Sequence, residues 1–131
     1  MFIPTKDDDV SYAPVVFAEG AFYVIGGWLG STSRGTTIAK LDSTSYKWFN
    51  SGDLLTGRRY HNAISDGSNI MVVGGYTLGD VLLKTEKCTI AGDKVNCVEQ
   101  DPSIYDYVHY PELFLVEEGY CKKLSSIWIF K

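Results

Sequence analysis

The apolar residues of this chain gather in short runs rich in valine, isoleucine and aromatics, closed off by turns of glycine, serine, asparagine and aspartate. Runs of that kind read as buried β-strands. One run is written twice. Phe22-Tyr23-Val24-Ile25 ends in Gly26-Gly27, and 48 residues later Ile70-Met71-Val72-Val73 ends in Gly74-Gly75, with an aromatic next in each copy (Trp28, Tyr76). Each copy follows a polar turn, Ala18-Glu19-Gly20 in the first and Ser65-Asp66-Gly67-Ser68-Asn69 in the second. Paired glycines at a strand end supply positive φ and let another backbone approach closely. Self-similarity at a period of about fifty residues marks a blade-type β repeat.

Taken in order, residues 1–12 read as a polar lead-in, with Asp7-Asp8-Asp9 a solvated turn. Four strands are then predicted over Ala13–Ala18, residues 21–27, Thr36–Asp42 and Tyr46–Phe49, with Trp28–Gly35 a small-residue loop. The second period repeats the order, with strands over Gly57–Ser65, residues 69–75, Val81–Ile90 and Lys94–Glu99. Four short antiparallel strands within one period make one blade of a β-propeller. Pro111–Glu117 reads as the first strand of a third, unfinished blade, although no double glycine follows Glu118-Gly119. The expected fold is therefore all-β: blade 1 over residues 13–52, blade 2 over 57–101, and a partial third blade or tail over 102–131.

Composition narrows the picture only a little. At 131 residues, 45% hydrophobic and with a formal charge of −4, the chain has room for one ordinary globular domain. The mild acidity argues against a nucleic-acid partner, which normally calls for a basic stripe. No apolar run approaches the length of a membrane span. Nor does the N-terminus carry the basic segment and apolar core of a signal peptide.

The cysteines carry the sharpest local expectation. If Gly92-Asp93 is a two-residue hairpin loop, then Ala91 faces Lys94, Ile90 faces Val95, Thr89 faces Asn96 and Cys88 faces Cys97. Opposed cysteines on a non-hydrogen-bonded pair lie about 4.5 Å apart at Cα, within reach of a disulfide. A bridge there implies an extracellular or lumenal setting. The alternative is two reduced cysteines buried as small hydrophobes. Cys121 is left over, with two readings open: a partner outside this chain, or a free thiol.

The Arg-containing strand Gly57-Arg58-Arg59-Tyr60-His61, the strands ending in Gly26-Gly27 and Gly74-Gly75, and the separated aromatic Trp48 together resemble the kelch repeat, over about residues 13–99. The first copy departs from the family in carrying Leu41-Asp42 where a Tyr-Asp pair is usual, and the second has no tryptophan matching Trp48. The resemblance implies four-stranded propeller blades. Two blades do not close a ring, since propellers have about four to eight. The chain is thus expected to be a fragment of a larger propeller, or a protomer that completes one with other copies. It also implies a non-enzymatic module that presents loops to a protein partner, with no cofactor and no metal. Trp28, Arg58, Arg59, Tyr60 and Tyr76 are the candidate binding residues; Gly26, Gly27, Gly74, Gly75 and Trp48 are structural. Two roles stay open for Arg58: pairing between blades, or an acidic group of a partner as its target. The alternative function is part of a propeller enzyme resembling the galactose-oxidase type, whose copper needs Tyr, His and Cys converging at the axis. His61 and His109 read as surface or loop residues. The run from Tyr105 to Tyr110 is either a recognition surface or core packing.

Overall fold

Alternating runs separated by tight turns leave the backbone little choice but neighbouring strands, and in the computed structural model every element among the described residues is a β-strand. It describes residues 10–29, 33–77 and 84–100. The elements are β1 (Val10–Ser11), β2 (Val15–Ala18), β3 (Ala21–Leu29), β4 (Ser33–Leu41), β5 (Trp48–Asp53), β6 (Asn62–Ser65), β7 (Asn69–Val73), β8 (Thr85–Ala91) and β9 (Lys94–Gln100). They form two antiparallel sheets. The first runs β1-β3-β4-β5, with β2 pairing the early part of β3 that β1 leaves free; the second runs β6-β7-β8-β9. The expected third unit, the aromatic run 105–110, His109, Cys121 and Asp7-Asp8-Asp9 lie outside the described residues.

The doubled run holds as geometry. In the first hairpin Val15 faces Val24, Val16 faces Tyr23 and Phe17 faces Phe22. In the second Ala63 faces Val72, Ile64 faces Met71 and Ser65 faces Ile70, each 48 residues on. Short side pairs repeat too: Ser11 opposite Trp28 in one sheet, Arg59 opposite Tyr76 in the other. Even the backbone strain recurs, since Tyr12 and Tyr60 both adopt left-handed φ, 56° and 55°.

The glycine pairs are where this geometry needs glycine. Gly26, Gly27, Gly74 and Gly75 have φ of 59°, 102°, 67° and 94°. A methyl group on Gly27 would come within 2.7 Å of the Ala13 Cβ, and one on Gly75 within 2.8 Å of the His61 Cβ. Left-handed φ at these points is costly for any residue with a Cβ.

Several boundaries differ from the sequence expectation. The lead-in contributes β1, so the first sheet has five strands where four were expected. Leu29 and residues 33–35 belong to strands, not to a loop, because a register shift between Ile25 and Gly27 lets Gly27 sit opposite Gly35 and the ladder continue. Residues 57–61 stay outside β6 apart from the bridge at Arg59, since left-handed Tyr60 breaks the extended backbone. β5 starts at Trp48 because Asp42 holds the preceding turn, its Oδ1 accepting from the Thr44 and Ser45 amides at 3.1 and 2.5 Å. β8 begins its described course at Thr85 and ends at Ala91.

The sheets share one core. Val16, Ala18, Tyr23, Ile25 and Ile38 of the first, and Ile70, Val72, Cys88 and Val95 of the second, are buried together with Leu54 from the connection. Burying each large side chain of this kind contributes about 1.5–3 kcal/mol. The fourth strands approach so closely that a side chain at Gly52 would collide with the Val95 carbonyl. Ser51 Oγ donates to Asp93 O at 2.7 Å, and Lys40 Nζ reaches Asp93 Oδ1 at 2.8 Å, tying β4 and β5 to the β8–β9 turn. That turn sets the register predicted from Gly92-Asp93, and Cys88 and Cys97 are joined in a disulfide with Cα atoms 3.9 Å apart.

Candidate interaction site at the glycine-pair end

The chain crosses from the first sheet to the second through Leu54–His61, directly beside Gly26-Gly27. Two successive arginines there do opposite things. Arg58 points inward and is fully buried, as is Glu86. Its Nη2 meets Glu86 Oε2 at 2.5 Å, and Nη1 donates to Gly74 O at 3.1 Å and Lys84 O at 2.7 Å. The other Glu86 oxygen accepts from the Leu55 amide at 2.6 Å. The Arg58 backbone holds the first sheet: its carbonyl accepts from Gly27 N at 2.9 Å and its amide donates to Gly35 O at 3.4 Å. Burial lowers the Arg58 pKa from its ordinary value, and the Glu86 charge opposes that shift. Of the two roles open to Arg58, the geometry supports pairing within the seam. A guanidinium with no exposed surface has nothing to offer a partner.

His61 sits in the same seam. Its Nε2 lies 2.9 Å from the Ile25 carbonyl, and since that oxygen only accepts, Nε2 carries the proton. Nδ1 is buried without a hydrogen-bond partner. Burial, reinforced by the neighbouring Arg58 charge, pulls the imidazole down to about 3, so it is neutral over the physiological range. His61 is thus a buried seam residue and not the surface or loop residue expected.

Arg59 turns the other way, toward the end of the sheets. Its guanidinium carbon stacks 3.9 Å from the Trp28 ring centroid and 5.1 Å from that of Tyr60. The Tyr60 ring lies 4.3 Å from Tyr12 and 6.1 Å, edge-on, from Tyr76. Trp28 and Tyr76 are the residues directly after the two glycine pairs, so the repeat itself delivers them to one end. Tyr12 is 55% exposed, and its hydroxyl pKa is raised, chiefly by a hydrogen bond with Tyr60. Arg59 Nε is buried and has no hydrogen-bond partner. The result is a guanidinium set against two aromatic rings, with no carboxylate in contact with it among the described residues. Such a surface can take an anionic or planar group by stacking and charge-assisted hydrogen bonding.

Of the residues singled out from sequence, Trp28, Arg59, Tyr60 and Tyr76 come together, Arg58 lies beneath them, and Trp48 stands well away, opposite Leu41 in β5. Sequence reasoning missed Tyr12 and Glu86. The spacing of 48 between Tyr12 and Tyr60 was the available signal for the first; nothing in the sequence marks Glu86 among its neighbours. Residues 30–32, in the middle of the expected loop 28–35, and residues 78–80, which follow the second glycine pair, lie outside the described residues. Among the described residues no three His, Cys, Asp or Glu side chains cluster to hold a metal ion. No helix there is long and apolar enough to cross a membrane. Neither a scan against protein-family models nor a search of curated proteins finds a match to this chain.

Proposed function

We propose that this chain is a kelch-type propeller unit that acts without catalysis, binding a protein partner through the end that carries its glycine pairs. The observation that carries the reading is Arg59: stacked on Trp28, rimmed by Tyr12, Tyr60 and Tyr76, with its Nε unpartnered. Arginine and aromatic residues of this kind are the side chains on which interfaces concentrate their binding energy. The rest of the molecule supports a presenting role. Two sheets, bolted by the Arg58–Glu86 pair and by the disulfide hairpin, fix these side chains on a rigid frame. The repeated hairpin registers and glycine pairs support the kelch-type assignment, with further blades needed to complete a ring. The Cys88–Cys97 bridge favours an oxidising, extracellular or lumenal setting.

The test is quantitative capture of partners from extracellular fluid by the immobilised chain, comparing wild type with Arg59→Ala, Trp28→Ala and Tyr46→Ala. Tyr46 is 65% exposed but lies in the turn at the far end of the first sheet, so it serves as a surface control. Partners lost with the first two substitutions and kept with the third support the reading. Capture indifferent to Arg59 and Trp28 would overturn it.

A further inference from the structure

The two sheets do not bury equivalent faces. In the first sheet the core side carries Tyr23 and Ile25; in the second it carries Ile70 and Val72, the counterparts of Phe22 and Val24. Side chains alternate along a strand. The seam therefore joins the odd face of one repeat to the even face of the next, a head-to-tail contact of the kind that propagates.

Among the described residues, both complementary faces then lie at the ends of the pair. On the first sheet the outer face carries Val15, Phe17, Phe22 and Val24, with Phe17 and Phe22 rings 5.0 Å apart. Val15 and Phe17 are 55% and 59% exposed. These are the counterparts of Ala63, Ser65, Ile70 and Val72, which the seam covers. On the second sheet the opposite face carries Ile64, Met71 and Val73, all half-buried, the counterparts of Val16, Tyr23 and Ile25.

Charge follows the same rule. Lys40 crosses the seam to Asp93 in the β8–β9 turn. Counting from the paired registers, Lys87 stands on β8 where Lys40 stands on β4, and the β4–β5 turn, equivalent to the one holding Asp93, carries Asp42.

We infer that the Val15–Phe17–Phe22–Val24 face is a docking surface for the Ile64–Met71–Val73 face of a second copy of this chain, packed as the two sheets already pack within one. Lys87 of one copy then approaches the turn at Asp42 of the other. The inference rests on the stacked-unit part of the function proposed above and not on the binding part.

The experiment is sedimentation velocity over a concentration series of the full 131-residue chain, as wild type, Phe17→Lys and Met71→Lys, with Val15→Lys and Ile64→Gln as second variants of each face. Val15 and Phe17 are solvent-exposed, so lysine there leaves the fold intact. Wild type is expected to form concentration-dependent assemblies, and each single variant to stay monomeric. A mixture of Phe17→Lys with Met71→Lys is expected to form a dimer and nothing larger, because each retains the face the other lacks. A monomeric wild type overturns the inference. So does assembly that survives Met71→Lys and Ile64→Gln, which is what like-to-like packing of the phenylalanine face gives, or a mixture that stays monomeric. Arg59→Ala leaves the assembly size unchanged. A monomeric chain that still captures partners through Arg59 defeats the stacking inference alone, and an assembling chain whose capture ignores Arg59 defeats the binding reading alone.

Discussion

Arg58 and Glu86, in contact at 2.5 Å inside the seam, stand where the first repeat places the uncharged Val10 and Ala39. The second repeat thus carries an ion pair at positions its twin fills with apolar side chains. Taking two charges out of water costs several kcal/mol each, and the pair recovers that only through good geometry and further hydrogen bonds. Here the further hydrogen bonds go to three backbone groups: Gly74 O, Lys84 O and Leu55 N. Glu86→Ala and Arg58→Ala are each expected to cost about 3–5 kcal/mol, by leaving the other charge buried and alone. The apolar double variant Arg58→Met/Glu86→Leu is expected to recover only part of that loss, because the three backbone groups stay unsatisfied. Urea denaturation of the three variants checks both statements; a double variant as stable as wild type would remove the backbone-bridging role.

Glycine pairs offer a second, sharper contrast. Gly75 combines a φ of 94° with a space in which a methyl group would lie 2.5 Å from the Arg59 carbonyl oxygen. Gly20 also has positive φ, 74°, but nothing lies within 4 Å of its missing side chain. Gly20→Ala is expected to cost about 1–2 kcal/mol from backbone strain alone. Gly75→Ala adds displacement of the chain that carries Arg59 and His61, so its cost is expected to exceed that. Equal losses in thermal or urea unfolding would show that the close approach carries no weight.

How much of this was legible in the sequence depends on whether a local rule decided the matter. The Cys88–Cys97 pairing was legible because a two-residue Gly92-Asp93 turn leaves one register. The hairpins over 15–24 and 63–72 were legible because glycine pairs mark the phase of each copy. Trp28–Gly35 misled, since its small and polar residues look like loop while the bulge at Gly26-Gly27 is what lets the strands continue. Val10–Ser11 is too short to show a period, and its strand exists only because Trp28 and Leu29 extend past β2. At the site, Trp28, Arg59, Tyr60 and Tyr76 followed from the repeat, whereas the inward turn of Arg58 depended on Glu86, 28 residues away, whose position no local pattern encodes.

The disulfide closes a short loop, so its contribution by chain entropy is about 2–3 kcal/mol. Cys88 is fully buried beside Ile70 and Val95, so losing the bridge also loosens the seam. Cys88→Ala/Cys97→Ala is expected to be destabilised by at least that amount. Titration of the denatured chain, which has three cysteines, is expected to find one thiol before reduction and three after. Three thiols without reductant would dispose of the bridge.

His61 gives the seam an acid sensitivity whose sign follows from its neutral form. In the unfolded chain the imidazole takes a proton near 6.5; in the folded protein burial and the Arg58 charge postpone that to about 3. Between those values the unfolded state binds the extra proton, so acidification favours unfolding. Stability from this source is complete above pH 6.5 and declines as pH falls toward 3, by up to about 1.4 kcal/mol per pH unit. Asp42 and Asp66, both lowered below their ordinary value of 3.8 chiefly by backbone hydrogen bonds, act in the same direction but only at the acid end of that range. The interval from pH 6 to 4.5 therefore reports on His61. His61→Gln, which keeps a donor for the Ile25 carbonyl without a titrating group, is expected to be nearly flat there while wild type slopes. Urea midpoints measured at half-unit steps decide it: parallel slopes in the two proteins would mean that His61 is not held neutral between the sheets.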